Sequence, residues 1–282
     1  MPKPLNHDDL RERLDALVEV FDAREHRDND PISLVWEYSD PADQELVALL
    51  ASGVAYGRVA LVRDAGRRAA TPLGPAPAST LLGLSDDDLT DIYDGYVYRM
   101  TRGADVADLL AGCRDLIATH GSLHASYAAQ SGSDHVERAS NWVKAIRAGR
   151  IRPELERGLR YLLPDPGDGG ACKRLHLFFR WVARGPDEID LGIWPTPAAN
   201  ELLMPLDTHT ARMCRYIGLS VRKTTNGIAA KEVADALRLL DPDDPLRFDF
   251  PLCHLGISGS CIHVRSDAHC PSCPLDPICT LE

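Results

Sequence analysis

The segment Glu45-Leu46-Val47-Ala48-Leu49-Leu50-Ala51-Ser52-Gly53-Val54-Ala55-Tyr56-Gly57-Arg58-Val59-Ala60 is apolar on most sides of a helical wheel. A helix without a broad polar face has to be surrounded by other elements, so residues 45–60 predict a central buried helix. The flanking sequence carries the complementary pattern. Leu10, Leu14, Leu17, Val18 and Phe21 share one helical face, as do Val106, Leu109, Leu110, Cys113, Leu116 and Ile117. Ser85 and Asp88 have capping-box spacing ahead of Leu89 and Ile92. Asn226-Gly227 precedes Val233, Ala236, Leu237 and Leu240. No stretch alternates apolar and polar residues over strand length, so the chain is expected to be all-α. Breakers at residues 72–79, 164–170, 185–197 and 241–245 delimit the helices, and the alanine- and proline-rich residues 69–78 read as a loop.

Composition narrows the class. The 282 residues suffice for two modest domains or one large one, and the 44% hydrophobic and 26% charged shares are ordinary for a soluble globular protein. The longest apolar stretch, residues 46–56, is too short to span a bilayer. The opening MPKPLNHDDL does not fit a signal or transit peptide, so a cytoplasmic location is expected and clustered cysteines read as metal ligands. The net charge of −11 argues against nucleic acid when taken as an average, but the charge is unevenly spread. Residues 1–48 are strongly acidic, whereas residues 144–184 carry 10 Lys and Arg against 4 Asp and Glu. Arg212, Arg215, Arg222 and Lys223 continue the basic sign. Such a distribution suits a protein that turns one face toward phosphates, or equally a solvated charged surface.

Cys261, Cys270, Cys273 and Cys279 give the spacing C-x8-C-x2-C-x5-C, with prolines at 271, 274 and 277. Four soft sulfurs on one proline-stiffened segment suit a [4Fe–4S] cluster. A four-cysteine zinc site is the alternative, but it usually comes as two close pairs, and here there is one. His263 and His269 lie inside this loop as substitute ligands that four thiolates make unnecessary.

Residues 164–173 form a glycine-rich loop entering a helix that continues through Phe178, Phe179, Trp181 and Val182, whose aromatic rings read as core. The backbone N–H groups of Gly167, Gly169 and Gly170, beside the positive end of a helix dipole, suit one backbone phosphate, although a plain connection would look the same. Lys173 falls in the first turn. Burial, the dipole and neighbouring Arg174 would each favour its neutral, nucleophilic amine, whereas a surface position would leave an ordinary lysine. Cys172 reads as a small buried residue. Asp207, in Leu206-Asp207-Thr208-His209-Thr210-Ala211-Arg212, is placed to cap the next helix; the same ionised carboxylate is a fixed negative charge able to face a developing cation. His209 is expected to pack.

The chain resembles the helix-hairpin-helix (Gly-Pro-Asp) DNA glycosylases, endonuclease III and its relatives. The likeness is carried by residues 206–212, by the downstream cysteines ending in C-x2-C-x5-C, and by Glu45 to Ser52, which is similar to the helix opening that family's barrel domain. The resemblance implies two helical domains around a cleft. One is a six-helix barrel, here residues 41–165. The other is a hairpin and cluster domain, residues 166–282, on which residues 1–40 pack. It implies a base-excision glycosylase with AP-lyase activity on double-stranded DNA, working as a monomer, with Asp207 and Lys173 as catalytic residues. Gly167, Gly169, Gly170, Arg174 and Arg212 would contact DNA, and the four cysteines would hold the cluster. The sequence departs from the family in its x8 first cysteine gap, in Pro166-Gly167-Asp168-Gly169-Gly170 where a Leu-Pro-Gly-Val-Gly-type hairpin is usual, and in its longer spacing from Lys173 to Asp207. A scaffold that binds nucleic acid without chemistry, with iron–sulfur or zinc, is the alternative reading.

Overall fold

The computed structural model describes residues 7–257 and 261–281. The described chain is helical: α1 (His7–Glu19), α2 (Ala23–Asn29), α3 (Pro41–Gly53), α4 (Val59–Ala70), α5 (Pro77–Leu82), α6 (Asp86–Ile92), α7 (Gly103–His120), α8 (Leu123–Ala128), α9 (His135–Ala148), α10 (Arg157–Leu162), α11 (Lys173–Ala183), α12 (Thr208–Tyr216), α13 (Gly227–Arg238) and α14 (Asp249–Ile257). Among the described residues the strand content is one two-residue antiparallel pair, Val97–Tyr98 with Thr101–Arg102. The all-α expectation therefore holds.

Helix α3 is the hub. Every residue from Asp43 to Gly53 is buried, and α4, α5, α8 and α11 all pack on it. The helix expected over residues 45–60 stops at Gly53, however. Gly57 takes φ +112°, a left-handed conformation that breaks the run before α4 begins at Val59. Residues 69–78 also differ from the loop expected of them. Pro77 occupies the first turn of α5, where its fixed φ suits a helix start, and Asp43 on α3 accepts a hydrogen bond from the Ala78 N–H at 2.8 Å. The Ser85–Asp88 capping box and the Asn226 cap form as the spacing predicts.

One carboxylate sits in this apolar hub. Glu45, 3% exposed, accepts the N–H groups of Leu123 (2.6 Å) and His124 (3.0 Å) at the start of α8 and the indole N–H of Trp194 (2.8 Å). Burial raises its pKa, and the three donors oppose that rise. Trp194 in turn packs in an aromatic cluster with Trp142 of α9 and Phe178 and Phe179 of α11. Glu45 thus joins α3 to α8 and, through Trp194, to the loop after α11.

The Glu45→Ala variant orphans three buried donors, each worth about 1–3 kcal/mol when left unpaired. Urea unfolding is expected to show a loss of about 3 kcal/mol or more; a loss below about 1 kcal/mol would show that Glu45 does not hold these elements together.

Candidate functional site

A cleft of about 360 Å³ opens where α11, the start of α12, α14 and the turn between α3 and α4 meet. Its volume lies in the ordinary range for ligand pockets. Lys173 and Asp207, 34 residues apart in sequence, both line it, and Lys173 Nζ stands 3.4 Å from Asp207 Oδ2. Asp207 is the N-cap of α12: Oδ1 accepts the N–H groups of His209 and Thr210, each at 2.9 Å, which leaves Oδ2 to face the amine. Burial acts to raise the Asp207 carboxyl, but the Lys173 charge and the Thr210 N–H outweigh it and hold the group below the ordinary carboxylate range. The site therefore presents a fixed anion and a primary amine on two helix starts, one facing the other.

The glycine-rich loop enters this site as a tight hairpin. Asp165, 4% exposed, accepts the Ser140 hydroxyl at 2.6 Å and the Gly167 N–H at 2.8 Å. The Gly169 N–H bonds to Pro166 O, and Gly169 O accepts the Gly227 N–H at the start of α13. Gly169 has φ +78°, which requires glycine there. The N–H groups of Gly167 and Gly169 are thus used inside the protein, and Gly170 lies exposed beside them. Cys172 precedes α11 with φ +41°, a strained position for a residue with a side chain. It is buried, and burial pushes its thiol up to about 12, which leaves it inert as a nucleophile.

Arg174 departs from its expected role. Its guanidinium donates to Gly53 O at 2.8 Å and to Tyr161 O, and it lies over the rings of Tyr161 (4.2 Å) and Tyr56 (4.9 Å). It caps the end of α3 and locks α11 to α10, so it is not offered to phosphate. Arg212 is exposed on α12. His209, expected to pack, is exposed on the cleft wall, because the Asp207 cap turns the first residues of α12 outward.

The cysteine loop forms a second feature. Cys261, Cys270, Cys273 and Cys279 border one small cavity of about 30 Å³, walled by Met213, Tyr216 and Leu275 among others. The Ser266 N–H points at Cys270 Sγ (3.3 Å), and Cys273 and Cys279 accept the N–H groups of Leu275 and Leu281. No disulfide joins them. Among the described residues no three His, Cys, Asp or Glu side chains are grouped closely enough to hold a metal ion. The four sulfurs share a cavity without closing on a point.

Four charged residues of the cleft were not among the candidate site residues: Asp30, Arg58, Arg180 and Asp249. Arg180 is 1% exposed, with Nε on Asp190 (3.2 Å) and Nη1 on Asp249. Asp30-Pro31 carried a detectable signal, a capping residue followed by proline, but only for a turn start. No described helix is long and apolar enough to cross a membrane.

A family model described as protein of unknown function (DUF2400) matches residues 30–258, and the chain belongs to that family. The matched span begins at Asp30 and includes Lys173, Asp207 and Asp249, and it ends before the four clustered cysteines. No curated protein and no solved structure matches the chain.

Asp207 acts as both cap and charge, and two substitutions separate the roles. Asp207→Ala loses both and is expected to be less stable than Asp207→Asn by about 1 kcal/mol. Because the folded carboxyl lies below its ordinary value, ionisation stabilises the fold at neutral pH. The advantage of wild type over Asp207→Asn should therefore vanish as pH falls through the acid range below about 3.9. Denaturation curves at pH 7 and pH 3 check this; equal stability of the Ala and Asn variants would contradict the cap.

Proposed function

We propose that this DUF2400 member is a base-excision DNA glycosylase with AP-lyase activity, taking a base extruded from double-stranded DNA into the cleft. The single observation that carries the reading is the Lys173–Asp207 pair, 3.4 Å apart on the wall of a cleft of about 360 Å³. The resemblance of residues 206–212 and of the cysteine spacing to the helix-hairpin-helix glycosylases supports it, as does the hairpin of residues 164–172 leading directly into Lys173. In this reading the chain forms two helical domains flanking the cleft and works as a monomer in the cytoplasm.

The chemistry follows from the pair. The nucleophile is the neutral Lys173 amine, whose proton passes to water at its part-exposed end, so that Asp207 keeps its charge. Asp207 is biased toward its charged form. As the bond from C1′ to the base lengthens, positive charge grows on the sugar, and that fixed anion stabilises it. The Lys173 amine attacks C1′ and the base leaves with the bonding electrons; the attached amine then loses a proton, the C1′–O4′ bond breaks as a proton passes to O4′, and the resulting iminium permits β-elimination of the 3′ phosphate. Glycosylase and lyase steps then share one residue. Arg212 and the exposed Gly170 are left to meet the DNA backbone, together with the positive end of the α11 dipole.

Cys261, Cys270, Cys273 and Cys279 would hold a [4Fe–4S] cluster. An all-sulfur donor set, backbone N–H groups aimed at three of the sulfurs, and apolar walls fit such a group. When bound, the cluster supplies a structural crosslink for the C-terminal loop. Zinc is the alternative that the same four ligands admit.

Borohydride reduction in the presence of a duplex with an abasic site should trap a covalent complex, and Lys173→Gln should abolish it. Undiminished trapping in that variant would remove Lys173 from the reaction.

Protein purified without oxygen should be brown, with about four irons per chain if one [4Fe–4S] cluster is bound, and Cys273→Ser should lose both colour and iron. One zinc in a colourless protein would overturn the cluster.

A further inference from the structure

We propose that Asp30 is a second catalytic carboxylate of the cleft, the acid that gives a proton to the departing base. This rests on the glycosylase reading and deepens it. Asp30 stands at the end of α2 and caps the turn Pro31–Glu37, where its Oδ1 accepts the Ile32 N–H at 3.1 Å. That bond engages one oxygen and fixes the side chain against the backbone. The residue borders the same cavity as Lys173 and Asp207, among the apolar side chains of Pro31, Val62, Leu177 and Phe250. Among the described residues it is the one cleft carboxylate contributed by the N-terminal part of the chain.

The environments of the two carboxyl groups differ in the sense the reaction needs. Burial raises the Asp30 pKa, opposed by the Ile32 N–H and by the charges of Arg180 and Lys173. Asp207 is held in its charged form. Two titratable groups in one site pushed in opposite directions mark a division between acid and anion. The Asp30 carboxyl transfers its proton to a ring nitrogen or carbonyl oxygen of the base as the bond from C1′ breaks. The bonding pair departs with the base, which leaves neutral; Lys173 supplies the new bond to C1′, and Asp30 is left as a carboxylate.

The test compares two assays on the full chain. One measures base release from duplexes containing hypoxanthine, uracil or 8-oxoguanine, and the other measures strand cleavage at a preformed abasic site, where no base departs. Asp30→Asn keeps an oxygen for the Ile32 N–H but has no acidic proton to give. The ratio of base release to abasic-site cleavage is expected to fall about 100-fold or more, the usual effect of losing a general acid. An unchanged ratio would overturn the proposal. So would a wild-type chain that cleaves the abasic duplex but releases none of the three bases. Inactivity of the wild type in both assays, with no borohydride trapping, would strike the glycosylase reading itself and this inference with it.

Discussion

Two guanidinium groups, one buried in the last turns of α11 and one on the residue that ends it, set the geometry on which the cleft depends. Arg180 is tied to Asp190 and Asp249, and Arg184, one turn later, to Asp190 (2.7 Å), Asp244 (2.8 Å) and Asp187 (2.5 Å). Taking such charges out of water costs several kcal/mol per ion, so the network contributes little net stability compared with an apolar core. Breaking one member is another matter, costing about 3–5 kcal/mol because the partner is left buried and unpaired. The arrangement therefore enforces a single docking of α11 against the start of α14 and the loops around residues 187–190 and 244. Lys173 begins α11 and Asp249 begins α14, so this constraint fixes where the amine stands relative to the far wall.

The opposite face of α11 is held by different forces. Phe178 and Phe179 enter the aromatic cluster beside α3 and α9, and Arg174 clamps the carbonyl end of α3 between two tyrosine rings. One helix is thus packed into apolar core on one side and anchored by ion pairs on the other, with its N-terminus projecting into the cleft. The strained backbone at Cys172 sits at that projecting end. Strain of this kind persists only when its surroundings over-determine it, and both sets of contacts do so here.

Much of this was legible in the sequence, and the failures have physical causes. The burial of α3 followed from its lack of a polar face, and the capping residues Ser85, Asp207 and Asn226 announced their helices by spacing alone. The pairing of Lys173 with Asp207 entered through resemblance, since the two residues come from separate helices and no local pattern links them. Arg174 misled because a basic residue beside a glycine-rich loop looks identical whether it meets phosphate or a carbonyl at the end of another helix. Asp30 and Arg180 were silent because their roles arise from tertiary contacts. Only the first turn of α5 falls in the expected loop, because the proline-rich composition of residues 69–78 masks the suitability of Pro77 for a helix start.

The central claim is that an extruded nucleotide places its C1′ atom against the Lys173–Asp207 pair. The most direct measurement is a crystal structure of the protein bound to duplex DNA carrying a pyrrolidine abasic analogue, whose ring nitrogen bears the positive charge of the reacting sugar. The account predicts the analogue turned out of the helix into the cleft, with its cationic nitrogen against the Asp207 carboxylate and within contact of the Lys173 amine. A duplex bound elsewhere on the surface, with the analogue still stacked in the helix, would contradict it.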